Sequence, residues 1–169
     1  MNDRLRLRPV DPPLRVVLVE PEIPQNTGNI SRLCAATATP LHLVGRLGFR
    51  IDEHAVRRAG LDYWDKVKLH VHPDLPTFQA LHAGSRLRLF SAKGAASYLD
   101  ADLGPGDALV FGRETDGLPD RILDAHPGGV FAIPTASEIR SLNLSNAVAI
   151  VLYEALRRCG VLDAAAPGP

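Results

Sequence analysis

The chain has 169 residues, 46% of them hydrophobic and 22% charged, which suits one soluble globular domain with a sizeable core and speaks against an intrinsically disordered chain. Lysine plus arginine and aspartate plus glutamate stand at 19 each, so no net basic excess is present to hold a nucleic acid by bulk charge. No apolar run is long enough to span a bilayer, and no secretory-type apolar block follows Arg4, Arg6 and Arg8, so a cytoplasmic location is expected.

In chain order, residues 1–13 are polar and proline-rich and residues 161–169 end in small residues; both are expected to be flexible ends around one domain over 14–160. Between them, short β-like runs at 15–20, 41–44, 68–71, 87–90, 108–111 and 130–133 predict six strands. Several are apolar almost throughout, as strands covered on both faces are. Helical spacing links Ile30, Leu33, Cys34 and Thr37, then Ala55, Val56 and Ala59, then Leu118, Ile122 and Leu123, and finally Val148, Val151, Leu152, Ala155 and Leu156. The alternation predicts an α/β fold, a mostly parallel six-stranded sheet flanked by helices, with any ligand at the carboxyl ends of the strands.

Three loops at those ends carry candidate chemistry. After the first strand, Pro21 and Pro24 hold an extended segment, Asn26 or Thr27 can cap a helix, Gly28 permits close backbone approach, and Arg32 follows one turn on, facing the opening. After the fifth, Gly112 and Gly117 bracket Arg113-Glu114-Thr115-Asp116; Glu114 can accept from a ligand amine, or neutralise Arg113 and the neighbouring helix start. After the sixth comes the alternating run Ser141-Leu142-Asn143-Leu144-Ser145-Asn146, which places four capping-type residues at one helix start, more than a cap requires. All three can converge on one edge of the sheet. Neither a phosphate-binding P-loop nor GxGxxG occurs, which argues against nucleoside-triphosphate and nicotinamide enzymes, and no serine has a GxSxG context.

Other polar residues read as ordinary. Cys34 and Cys159 match no metal or redox spacing and are expected to be reduced. His70 and His72 face the same way on a strand but show no third ligand nearby, so a surface pair and no metal is the expectation. Arginine clusters at Arg46/Arg50, Arg57/Arg58 and Arg86/Arg88 read individually as solvated surface.

Taken together, the segments 21–29, 57–63, 111–119 and 141–147 resemble the SPOUT superfamily of RNA methyltransferases, most closely the TrmL (YibK-like) family, which methylates the ribose 2′-hydroxyl of the tRNA wobble nucleotide, cytidine or uridine. The resemblance covers about 16–158 and implies a carboxyl-terminal trefoil knot, which general rules of chain topology would not suggest. It also implies S-adenosyl-L-methionine as cofactor, tRNA as partner, and a homodimer with a shared active site. By motif, Phe90, Gly112, Ile133 and Ser141 are implied at the cofactor, although Phe90 is larger than the aliphatic residue the family pattern suggests. Arg32 matches the arginine associated with the reaction. Asn26 and Asn143 would position Arg32, the ribose or the loops, and Glu114 would face the reaction centre or support the cofactor amino group. Tyr153 matches a helix position associated with tRNA recognition, although periodicity alone also fits a half-buried helix residue, and Arg57 and Arg58 are the first candidates for an RNA-binding face. Methylation of another tRNA or rRNA site, or RNA binding without catalysis, are the competing functions.

Overall fold

The computed structural model describes residues 7–50, 63–136 and 138–162. Seven strands form one parallel sheet: β1 (Arg15–Val19), β2 (Leu41–Val44), β3 (Leu69–His72), β4 (Leu87–Phe90), β5 (Ala96–Ser97), β6 (Ala108–Phe111) and β7 (Val130–Ala132), in the order β3-β2-β1-β6-β4-β7-β5. Among the described residues the α-helices are α1 (Pro24–Ala36), α2 (Leu75–Leu81), α3 (Asp120–Asp124) and α4 (Leu144–Arg158).

Alternate side chains of each strand enter separate cores. Val16, Leu18, Leu41, Leu43, Leu109 and Phe111 pack with Ile30 and Cys34 of α1 and with Val148, Val151 and Leu152 of α4. Val17, Val19, Val44, Leu89 and Val110 meet Leu75 and Phe78 of α2 and Ile122 of α3 on the other face. Fully burying one such side chain stabilises the fold by about 1.5–3 kcal/mol, which is why strands apolar on both faces pin this sheet at its centre. Both cysteines are free, as expected, and burial pushes the Cys34 thiol up to about 12.

The six expected strands form to within a residue or two at each end, and β5 is an additional two-residue edge strand paired with β7. α2 is also additional. Asp74 caps it by accepting from the Thr77 backbone N–H at 2.7 Å, with proline in its first turn. The helical pattern at 55–59 lies outside the described residues.

α2 changes the histidine expectation. It lays Phe78 and His82 over the outer part of the sheet, so His72 is only 7% exposed while His70 remains at the surface. His72 is instead joined by His42 and His82, the ring nitrogens of the three lying within 4.8 Å of one another. The Arg86/Arg88 cluster is likewise not simple solvated surface. Arg86 donates to the carboxylate of Asp107, itself 1% exposed, at 2.7 Å and to Asp102 at 2.9 Å, and Arg88 lies 3.6 Å from both carboxylates.

The loop after β6 folds back on itself: the backbones of Arg113 and Gly117 exchange hydrogen bonds at 3.1 and 3.0 Å, and Gly117 takes φ +71°. A Cβ on Gly112 would stand 2.1 Å from the Gly117 carbon and the Leu118 nitrogen, so only glycine fits there. Gly28, inside α1, has nothing within 4 Å of an added Cβ. Gly112→Ala is therefore expected to lose about 1–3 kcal/mol or more, whereas Gly28→Ala should gain up to about 1 kcal/mol. Urea denaturation of the two variants checks both signs.

Candidate active site

The three loops meet through one carboxylate. α1 begins at Pro24 behind Ile23, which has no side chain to cap it. Glu114 reaches across from the loop after β6 instead, accepting from the backbone N–H of Glu22 at 2.8 Å, the N–H of Ile23 at 3.1 Å and the Asn26 amide at 3.2 Å. An anion at this end is favoured both by the unpaired N–H groups and by the helix dipole. The Glu22 carboxylate reciprocates, accepting from the Thr115 hydroxyl at 2.8 Å and its N–H at 3.3 Å.

The network continues through amides. With its NH2 on Glu114, Asn26 turns its oxygen to the Asn143 amide, which donates at 3.0 Å. The Asn143 oxygen caps α4, accepting from the Ser145 N–H at 2.9 Å and the Ser145 hydroxyl at 2.7 Å. Asn26 and Thr27 are thus not caps but residues of the first turn of α1, because the helix starts three or four residues earlier than a cap at either would set it. Ser145 and Asn146 lie within α4, and Asn143 alone of the alternating run caps it. Glu114 thus caps the distant α1 and neither neutralises Arg113, which pairs with Glu20, nor caps the helix that follows its own loop.

Beside this network lies a cavity of about 370 Å³ at the carboxyl ends of β4, β6 and β7. Phe90, Gly112, Ile133 and Ser141 all line it, as does Glu114. Phe90 stacks on Phe111 with ring centroids 5.2 Å apart, so its bulk forms part of an apolar floor. Leu142 and Leu144 of the alternating run line the cavity with Ser141, while Asn143 turns to Asn26. Lys93, Thr135 and Arg140 also reach the wall and were not singled out from the sequence. Lys93 pairs with Asp120 at 2.6 Å, and the Thr135 hydroxyl closes its loop by donating to the Ile139 carbonyl at 2.9 Å.

Arg32 is not in the cavity wall. It is exposed on α1 with its guanidinium 5.6 Å from the centre of the Tyr63 ring, and the Tyr63 hydroxyl donates to the Gly28 carbonyl at 3.3 Å. Tyr153 is 44% exposed on the outer side of α4, near Ile150 at 37%. Arg57 and Arg58 lie outside the described residues. Among the described residues the cavity is lined by no cysteine or histidine, and its polar groups are suited to holding and orienting a small molecule.

Comparison with known proteins bears on what that molecule is. The sequence profile of the SpoU rRNA Methylase family matches residues 13–153. The tRNA (cytidine(34)-2′-O)-methyltransferase of Burkholderia pseudomallei (strain 1106a) is 47% identical over 148 residues, 86% of this chain and 95% of that one. A solved structure described as giving insights into the 2-OH methylation of C/U34 on tRNA superposes with a TM-score of 0.79 at 46% identity, covering 86% of this chain and 95% of its own. The SpoU methyltransferase AviRb from Streptomyces viridochromogenes, solved in complex with the cofactor AdoMet, superposes with a TM-score of 0.73 at 26% identity, over 94% of this chain and 64% of that one. The resemblance carried by the loop motifs is borne out: the chain belongs to the SpoU methylase family of SPOUT methyltransferases.

Proposed function

We propose that this protein is an S-adenosylmethionine-dependent methyltransferase acting on the ribose 2′-hydroxyl of the tRNA wobble nucleotide, cytidine or uridine. The observation that carries this is the junction of the cavity with the Glu114–Asn26–Asn143 network, which ties the loops around a cofactor-sized space to the helix bearing Arg32. About 370 Å³, floored by Phe90 and Ile133 and edged by backbone and hydroxyl groups, fits a folded small cofactor. When bound, the cofactor supplies an electrophilic methyl group on a positively charged sulfur.

Ser141 and the backbone around Gly112 hold the cofactor. A guanidinium does not give up its proton near neutral pH, so Arg32 serves by gripping the phosphate beside the target ribose and orienting the hydroxyl, whose proton passes to that phosphate or to water. Leaving the Tyr63 ring for a phosphate forfeits about 0.5–1 kcal/mol at an exposed site, which a charge-assisted bidentate contact exceeds. Asn26, Glu114 and Asn143 are positioning residues: the Glu114 oxygens are already occupied by N–H donors, and what they hold is the start of α1.

Two chains pair as a homodimer across the outer side of α4, where Ile150 is exposed, and Tyr153 beside it contacts tRNA. Pairing doubles the local basic face to which Arg57 and Arg58 are assigned, and a structured loop needs fewer phosphate contacts than a duplex.

With saturating tRNA and cofactor, Arg32→Lys should lower the single-turnover methylation rate by about 10–100-fold, because a point charge cannot reproduce bidentate orientation; full activity in a rapid-quench assay would refute the assignment. Tyr153→Phe is expected to raise the KM for tRNA while leaving the Kd for S-adenosylmethionine unchanged, measured by steady-state kinetics and calorimetry; equal effects on both would remove Tyr153 from RNA contact. Glu114→Gln sets an amide NH2 among N–H donors and should cost about 1–3 kcal/mol in urea denaturation. Unchanged stability would mean that the carboxylate is not the cap of α1.

A further inference from the structure

At the far side of the sheet from the proposed active site, four imidazoles gather where only packing would be expected. His42 on β2 lies in register with His70 on β3, so the two share a face, and His72 two residues on shares it too. His82, at the carboxyl end of α2, closes over them. The same face is otherwise lined by Val17, Val19, Val44 and Phe78.

We propose that His42, His72 and His82 bind a borderline divalent transition-metal ion, zinc foremost, that clamps α2 onto β2 and β3. One ring nitrogen of each lies within 4.8 Å of the others, and His42 Nδ1 and His72 Nε2 are 2.9 Å apart. A tetrahedral ion bound at about 2.0–2.1 Å sets its ligand nitrogens about 3.3 Å apart. The observed separations bracket that spacing, and small ring rotations reach it, with His82 at a helix end free to make the largest.

Two further observations point to a ligand. His42 is 1% and His72 7% exposed, and they face each other nitrogen to nitrogen, an arrangement that an ion shared between the two rings satisfies. His82 also lines a second cavity, of about 270 Å³, with Arg15, Ser85 and Gly106 at the amino ends of the strands, so this one of the three imidazoles is reached from solvent. Arg15 opposes a cation here, but its guanidinium is held by the Pro13 and Gly106 carbonyls and the Ser85 hydroxyl. A donor set of imidazoles without carboxylate selects zinc, cobalt, nickel or copper over magnesium and calcium.

The test is a titration of Co2+ and Zn2+ into tag-free full-length protein stripped with EDTA. One equivalent should bind, with the visible absorption of tetrahedral Co2+, and Zn2+ should raise the Tm, whereas Mg2+ should do neither. His82→Asn, at a half-buried helix end where the fold is tolerant, should weaken Zn2+ binding by about tenfold or more and abolish the Tm shift. His72→Gln should act likewise, and S-adenosylmethionine binding should be the same with and without Zn2+. Absence of saturable one-to-one binding, or parental Zn2+ affinity in both variants, overturns the site.

Discussion

A helix that lacks a cap of its own must borrow one, and α1 borrows Glu114. The loan comes from 91 and 92 positions away in the chain, where the turn closed between Arg113 and Gly117 aims a carboxylate at the Ile23 and Glu22 N–H groups. An anion at a helix amino end is worth about 0.3–2 kcal/mol through the dipole alone, and the hydrogen bonds to charged groups add to it. Because Asn26 sits in the same first turn and joins Asn143, 117 positions further on, the contact also fixes how α4 meets α1. The three loops at the active edge therefore share one hydrogen-bonded junction instead of being three independent pieces.

The two faces of the sheet divide the labour. α1 and α4 cover the face that bears the cavity edge, with Ile30, Cys34 and Val151 packed between them and the strands. On the opposite face, α2 and α3 are short, and the sheet beneath α2 carries imidazoles where aliphatic side chains would fill space more simply. The strand order sets β6 between β1 and β4 and puts β7 beyond β4, so that the strand ends bearing the cavity are neighbours despite their separation in sequence.

What the sequence made legible follows range of interaction. Strands such as 41–44 and 108–111 announce themselves because both faces are buried, and no partner need be known to see it. α2 and β5 did not: Pro76 and a single fully buried aromatic, Phe78, make a weak helical signal, and Ala96-Ser97 has no pattern at all. At the site, residue types were readable and partners were not. Gly112 stood out as a glycine needing room, but the atoms that demand the room are those of its own loop. The arginines of Arg86/Arg88 looked like surface charge because Asp107, which neutralises them from the interior, lies 21 positions beyond Arg86. Asp74 before Leu-Pro is a local signal for a helix start, but the strand that this helix covers is set by tertiary packing of Phe78 on His72.

Asn143 does two things with one side chain: its oxygen starts α4 and its NH2 touches α1. α4 is a rigid rod of 15 residues, and its outer side carries the exposed Ile150 and Tyr153, about two and about three turns from that asparagine. Packing against the core from Leu144 to Leu156 holds that rod along its whole length. The exposed side of α4 and the three-loop junction are thus borne by one rigid element, and a single amide joins that element to α1.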